Sequence, residues 1–322
     1  MTTIDRTAAS TGLARLTGLV ARRCTAEADW WRIRSLLVET GPDVPAGWNW
    51  DVRRWDGWRF HNERPVDVPE LARTIALWES PGGRLLGAVH PEDPGTAFLE
   101  VRPEARWIEP LMLAWAEECL AIPGPDGSRR LTLAVHDQDR ERQAILRRRG
   151  YRRLDRGGWI RASSLPPARP GDPMPLPSPY RLRTTRPDLD DGARIADLLN
   201  ATFGRTVHTA AEYLTFMTRS PSFDQRLNLV AEAPDGTFAA HVGVTLEPVR
   251  RQAFVEPVAT HPDHRRRGLA RVLVLEGLRR AASLGATSAT VETGDGQAAN
   301  ALYAACGLAE AAHLHRWRLD LV

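Results

Sequence analysis

The stretch HPDHRRRGLARVL, residues 261–273, sets three consecutive arginines before a glycine and then opens a helical pattern. Like charges in a row repel, so an anionic partner is expected among them. A strand, an Arg/Gly-rich turn and a helix form an arrangement that binds phosphate. The first helical turn leaves N–H groups unpaired, and the helix dipole favours an anion there. Gly268 lets the backbone approach a ligand closely. Arginine adds forked donors that match phosphate oxygens. An arginine-rich surface turn with no ligand is the competing reading of these local features taken alone.

The flanking pattern is α+β. RIADLLNATF and AAEYLTFMTR read as helices. LNLVAEA and TFAAHVGVTLE read as strands joined at Pro234-Asp235-Gly236, a tight-turn signal. RQAFVEPVAT is a further strand. LARVLVLEGLRRAAS is a helix whose polar stripe is Glu276, Arg279, Arg280 and Ser283. SATVET, QAANALYAAC closed by Gly307, and LHRWRLDL follow as strand, helix and strand. The first half repeats this order with GRLLGAVH, TAFLEV, EPLMLAWAEECL, RLTLAVH and DRERQAILRRR closed by Gly150. Short matches recur at nearly equal separation: AFLE (97–100) with AFVE (253–256), RPEAR (102–106) with HPDHR (261–265), AILRRRGY (144–151) with ALYAACGL (301–308). Between the halves, residues 163–179 contain seven prolines and suit an extended linker. The expected division is therefore 1–162, a linker over 163–179, and 180–322.

With these residues in hand, Arg265-x-x-Gly268-x-Ala270 resembles the Gln/Arg-x-x-Gly-x-Gly/Ala pattern of the GNAT acyltransferases, the GCN5-related N-acetyltransferases. The wider string EPVATHPDHRRRGLARVLVLEGLRR, followed by ANALYAACGL, is similar to that family over most of residues 180–322. The first half resembles a degenerate unit of the same kind. The resemblance implies two GNAT-like domains, each a mixed, mostly antiparallel central sheet flanked by helices, with splayed central strands. It implies acetyl-CoA, or another acyl-CoA, as co-substrate. It assigns Arg265, Arg266, Arg267, Gly268, Leu269 and Ala270 to the pyrophosphate. Val258, Ala259 and Thr260 would present strand backbone to the pantetheine arm. Pro257 cannot donate to a ladder, which favours a bulge where the strands part. Tyr303 matches the tyrosine that commonly protonates the departing thiolate, and Asn300 would bond the cofactor arm. Glu256 is the preferred base, with Glu292 the alternative and a structural ion pair with arginine the competing role for both. The acceptor would be the amine of a small molecule or of a protein. A non-catalytic acyl-CoA sensor on the same scaffold is the alternative to an enzyme.

In the first half, Glu109 stands where the motif has Gly268, Leu111 where it has Ala270, and Leu146 where it has Tyr303; only Arg106 keeps the first arginine. A carboxylate there would repel CoA, so this half is expected not to catalyse. It does hold ten of the eleven tryptophans, densest in GWNWDVRRWDGWRFH. Core packing is the preferred reading of them. An aromatic wall that binds the acceptor, or docks on the second domain, is the other.

Composition excludes several classes. With 43 basic and 40 acidic residues, the net charge of +3 is too small for a general nucleic-acid binder. Every basic residue is arginine, which excludes a lysine Schiff base and a P-loop lysine. Three scattered cysteines make neither a disulfide framework nor a zinc cluster. His261-x-x-His264 and His313-x-His315 lack a clear third ligand, so no metal is expected. Gly294-x-Gly296-x-x-Ala299 imitates a dinucleotide fingerprint without the rest of a doubly wound sheet. No apolar run would span a membrane, and the N-terminal stretch does not read as a signal peptide, so a cytoplasmic protein is expected.

Overall fold

The computed structural model describes residues 18–67, 71–124, 127–167 and 174–321. Most of the N-terminal stretch judged for a signal peptide, and the middle of the proline-rich linker, lie outside the described residues. In chain order the strands of the first half are β1 (Val20–Arg23), β2 (Ala76–Glu79), β3 (Leu85–His90), β4 (Thr96–Val101), β5 (Ile122–Pro123), β6 (Arg129–His136) and β7 (Arg152–Ser164). Those of the second are β8 (Arg181–Thr184), β9 (Asn228–Glu232), β10 (Phe238–Glu247), β11 (Gln252–Thr260), β12 (Ser288–Gly294) and β13 (Ala309–Leu321). The α-helices are α1 (Glu27–Thr40), α2 (Val52–Phe60), α3 (Glu109–Cys119), α4 (Arg140–Arg148), α5 (Leu189–Phe203), α6 (Ala210–Arg219), α7 (Leu269–Ser283) and α8 (Gln297–Ala305). None of the described helices is long and apolar enough to cross a membrane.

Two compact units form, and they are not the two sequential halves. One gathers the described residues up to Trp50, Asp67–Gly157 and those from His313; the other gathers Asp51–Val66 and Gly158–Ala312. Each is a mixed sheet with helices. In the first unit, β2, β3 and β4 pair antiparallel and β4 joins β6 in parallel. In the second, β9, β10 and β11 pair antiparallel and β11 joins β12 in parallel. The repeat is thus real at the level of topology. The last strand of each half is exchanged. The C-terminal strand β13 pairs with β6 from Leu314 to Leu321, and the end of β7 pairs with β12 from Gly158 to Ser164.

The second unit buries apolar residues on both faces of its sheet. Leu229, Ala231, Val242, Val244 and Val255 pack against Leu269, Leu273, Val274 and Leu278 of α7 and Tyr303 of α8. On the other face, Val230, Phe238 and Ala259 pack against Ile195, Leu198 and Leu199 of α5 and Tyr213 and Met217 of α6. The two-residue alternation of β9 explains the split, since Val230 points opposite to its neighbours. The expected polar stripe of α7 is corrected at one position. Glu276 is fully buried, its carboxylate gripped by Arg279 at 2.7 Å and Arg280 at 2.8 Å. Removed from water, it is held below the ordinary carboxylate range by those two guanidinium groups.

Candidate active site

The parallel pairing of β11 with β12 covers only Gln252, Ala253 and Phe254. Beyond them the strands part. On its other edge, β11 stays paired with β10 through Val242↔Val258, His241↔Ala259 and Ala240↔Thr260, after a register shift at Gly243. The shift is a bulge on β11: Val255 and Val258, three apart, both pack toward α7. Gly243 is required opposite it, because a Cβ there would lie 2.6 Å from the Glu256 carbonyl oxygen. The edge of Val258–Thr260 that faces β12 is therefore free of ladder partners among the described residues.

The arginine turn opens at the end of β11. Arg265, Arg266 and Arg267 are all exposed. Arg265 donates to the Thr202 carbonyl at 3.1 Å, and Arg267 donates to the Tyr180 hydroxyl at 2.9 Å. Among the described residues, none of the three pairs with a carboxylate. Arg266 and Gly268 both take left-handed backbone, with φ of 58° and 77°. α5 and α6 have side-chain caps, Asp188 and Thr209, whereas Gly268 before α7 provides none. No side chain therefore caps the N–H groups of the first turn of α7. Leu269 itself is core, so only its backbone faces the turn.

The catalytic candidates fall near the parting strands. Glu256 is exposed and, among the described residues, has neither a hydrogen bond nor an ion pair. Glu292 is instead paired with Arg54 at 3.1 Å. Tyr303 on α8 is 7% exposed, with no hydrogen-bond partner for its hydroxyl among the described residues. Burial and then the charge of Glu256 push its phenol up to about 12. Asn300 is occupied otherwise. Its amide donates to the carbonyls of Gly294 at 2.9 Å and Gly296 at 3.0 Å, and its oxygen accepts from Arg161 at 3.2 Å. It staples the turn between β12 and α8.

Sequence reasoning missed the role of residues 51–66. Helix α2 packs with α6 inside the second unit. Asp51 caps it by accepting from the Arg54 N–H at 2.9 Å, Ser222 donates to Asp56, and Thr215 donates to the Glu63 carbonyl at 2.9 Å. The helix brings Asp51 into the field of Glu256. Withdrawal from water and then that charge push the Asp51 carboxyl up to about 6. The tryptophan-dense stretch is thereby divided. Trp48 and Trp50 belong to the first unit, and the buried Trp55 lies on α2 in the second.

The first unit places a buried ion-pair cluster where the repeat aligns it with the arginine turn. Glu109 is fully buried at the start of α3. Arg106 donates to it at 2.7 Å, and Arg142 of α4 donates at 3.0 and 3.2 Å. Arg106 also holds Asp139 at 2.8 Å and lies 4.3 Å over the Trp48 ring. Arg142 reaches on to the Leu99 carbonyl of β4 at 3.3 Å, beyond the last β4–β6 pair at Ala97. The repeat matches Glu109 to Gly268, Arg142 to Ala299 and Asp139 to Gly296. Side chains fill in one unit what small residues leave open in the other. Beyond the repulsion expected from the sequence, the Glu109 carboxylate already engages both arginines.

Asp188, Asp190 and Asp191 form the one carboxylate cluster close enough to share an ion among the described residues. Asp191 is already held by Arg183 at 2.7 Å and Arg186 at 3.1 Å, so the cluster serves as an ion-pair network.

Residues 193–308 match the family model described as the acetyltransferase (GNAT) family. Residues 193–308 are a GNAT-family acetyltransferase domain. That domain supports acyl-CoA-dependent N-acetyl transfer in general. Solved structures extend the likeness of fold to both halves of the chain. A GCN5-related N-acetyltransferase from Sphaerobacter thermophilus is 19% identical, with a TM-score of 0.62 over 99% of this chain and 97% of that one. A tandem GNAT protein from the clavulanic acid biosynthesis pathway is 20% identical, with a TM-score of 0.64 over 94% of this chain and 98% of that one. A GNAT-family acetyltransferase from Colwellia psychrerythraea is 12% identical, with a TM-score of 0.60 over 94% and 100%. No curated protein matches the sequence.

Proposed function

We propose that the second unit transfers an acyl group, acetyl being the expected one, from acyl-CoA to a primary amine by direct attack in a ternary complex. One contrast carries the reading. The anion site before α3 is filled by Glu109 and Arg142, whereas its counterpart before α7 has Gly268, Ala299 and three arginines that no described carboxylate neutralises. A polyanion with an extended arm fits this set. Arg265, Arg266 and Arg267, with the backbone N–H groups of Gly268, Leu269 and Ala270, hold the pyrophosphate. The free edge of Val258, Ala259 and Thr260 receives the pantetheine arm as it would an added strand. Acyl-CoA supplies an activated thioester.

The chain's own residues then handle protons. Glu256 accepts one from the amine as the new C–N bond forms. Tyr303 shares its proton with the sulfur as the C–S bond breaks. A phenol near 12 stays protonated at neutral pH, and its transfer to a thiolate whose thiol is near 8.5 is uphill. Tyr303 therefore acts in concert with bond breaking, and the proton held by Glu256 restores the balance. The acceptor is a small-molecule or protein amine.

Acetyl-CoA titration by calorimetry, on the wild type and on Gly268→Glu, tests the reading. The substitution imitates Glu109, and a Cβ at Gly268 meets nothing within 4 Å. Left-handed backbone at a non-glycine residue costs about 1–2 kcal/mol, which a folded domain tolerates. One site per chain, lost in the variant, is expected. Two sites would mean that the first unit is not closed, and no binding by the folded wild type would overturn the proposal.

A further inference from the structure

Arg53 of α2 is 5% exposed, and its charge is not paired. A buried guanidinium normally has a carboxylate partner, because five donors and a charge leave water together. Four other buried arginines of this chain obey that rule: Arg102 pairs with Glu39 at 2.5 Å, Arg106 and Arg142 with Glu109, and Arg161 with Glu310 at 3.1 Å. Arg53 instead donates to His61 Nε2 at 3.0 Å and lies 4.8 Å over the Phe216 ring. No described carboxylate is within ion-pair distance of it.

The groups around Arg53 have spare hydrogen-bonding capacity too. Tyr213 of α6 is 3% exposed, and its hydroxyl has no partner among the described residues. His241 of β10 is fully buried, and neither of its ring nitrogens has one. The rings form a chain, with His61 5.3 Å from Tyr213 and Tyr213 6.1 Å from His241. Burial, and then the charge of Arg53, keeps both histidines neutral; His241 falls to about 3. Glu212 lies 3.6 Å from His61 Nδ1, but one imidazole separates it from Arg53. That carboxylate already meets His208 at 3.2 Å and closes the capping box of α6. On the other side, Tyr213 and Asp51 each feel the charges of both Arg53 and Glu256. The unpaired cation and the proposed base thus flank the same two residues.

We infer that the acceptor amine carries a carboxylate, and that Arg53, supplied to this unit by the first half of the sequence, anchors it. The inference rests on the acyltransferase reading for the amine end only. The amine faces Glu256, and the carboxylate completes the ion pair that Arg53 lacks, with the Tyr213 hydroxyl as an additional donor. An amino-acid-type acceptor has this chemistry; a simple alkylamine does not.

The test compares matched amines with acetyl-CoA: L-phenylalanine with phenethylamine, L-lysine with cadaverine, and β-alanine with ethylamine. The carboxylated member of at least one pair should have kcat/KM higher by about 10- to 100-fold, the range of a charge-assisted hydrogen-bond pair. Arg53→Met should abolish that preference, and Arg53→Lys should restore part of it. A purely structural role would lower both members of a pair alike. Preference for the decarboxylated amines by the wild type, or a carboxylate preference that survives in Arg53→Met, overturns the inference. Should Arg53→Met fail to fold, the wild-type preference and Arg53→Lys still decide. A second measurement needs no acyl transfer: N-acetyl-L-phenylalanine, N-acetyl-L-lysine and N-acetyl-β-alanine are titrated into the wild type and Arg53→Lys. Binding that weakens in the variant supports the carboxylate anchor even if acetyl-CoA does not bind, in which case only the acyltransferase reading falls. Absence of binding together with absence of transfer overturns the anchor.

Discussion

Replacing Glu109 by glutamine tests whether the first unit has filled its own anion site. The side chain keeps its size, so no cavity opens and the change isolates the charge. In the wild type the carboxylate is fully buried and accepts from Arg106 at 2.7 Å and Arg142 at 3.0 and 3.2 Å. Without it, the buried carboxylate left to the two guanidinium groups is Asp139, which Arg106 meets at 2.8 Å and Arg142 only at 3.7 Å. A buried cluster of two cations and two anions becomes one of net charge +1. Breaking a buried pair by removing one partner costs about 3–5 kcal/mol. For a unit of this size that corresponds to a fall in Tm on the order of 10 °C. Urea unfolding followed by tryptophan fluorescence reads it, since eight of the eleven tryptophans lie in the first unit. The pH dependence adds a check of sign. Burial alone would raise Glu109, but Arg142 and Arg106 hold it below its ordinary value. Its stabilisation is therefore present above the unfolded carboxylate pKa and lost as pH falls through the lower folded value. The gap between wild type and Glu109→Gln should close below about pH 4. In Glu109→Ala, which vacates the position, sulfate should restore stability that it does not add to the wild type. A loss under about 1 kcal/mol, the level of a solvent-screened pair, would refute the account of a filled site.

Two further outcomes are expected. Tyr303→Phe should lower kcat by about 10²- to 10⁴-fold, as loss of a general acid does, with acetyl-CoA affinity by calorimetry nearly unchanged; an unaltered kcat would remove Tyr303 from the chemistry. Asp51→Asn should stabilise the protein at pH 8 and not at pH 4. Asparagine caps a helix as well as aspartate does. The wild-type carboxyl, raised to about 6 when folded, binds its proton more tightly in the folded state, so stability falls as pH rises from about 4 to 6. Parallel stability curves for the two proteins between pH 4 and 8 would show that Asp51 does not sit in the field of Glu256.

Much of the second unit was legible because its elements obey local rules. AAEYLTFMTR and LARVLVLEGLRRAAS are helices over the residues their patterns mark, Ala210–Arg219 and Leu269–Ser283. Gly150 and Gly307 close α4 and α8 with φ of 89° and 83°, the left-handed backbone that helix ends favour in glycine. The turn at Gly268 was read from glycine and charge, and the strands part beside Pro257 where a bulge was expected. Three features had no local signal. α2 has no apolar stripe to detect, because Arg53, Asp56 and Arg59 are among its buried residues. Its partners, Thr215, Phe216 and Ser222, lie more than 150 residues on. The exchange of β7 and β13 was equally hidden, since a strand's pattern gives its faces and not its neighbours. Arg142 looked like one more arginine in a basic helix, and only the fold brings it to Glu109.

The exchanged segments change what the degenerate half contributes. A duplicated unit that loses its ligand site would ordinarily be free to drift, provided its core packs. Here the first half of the sequence supplies the second unit with its β12-pairing strand and with α2, which includes Arg53 and Arg54 and is capped by Asp51. Arg54 also pairs with Glu292, leaving Glu256 as the unpaired carboxylate of the two base candidates. On the proposed reading, the first half of the sequence thus helps decide which carboxylate can act as base. A fragment beginning at residue 180 would keep the arginine turn and Tyr303 while losing the neighbour of β12, the pairing of Glu292 and the buried cation. On the proposed reading, acyl-CoA recognition and acceptor recognition have different origins along this chain: the first would follow from residues 258–270, and the second would require residues 51–61 as well.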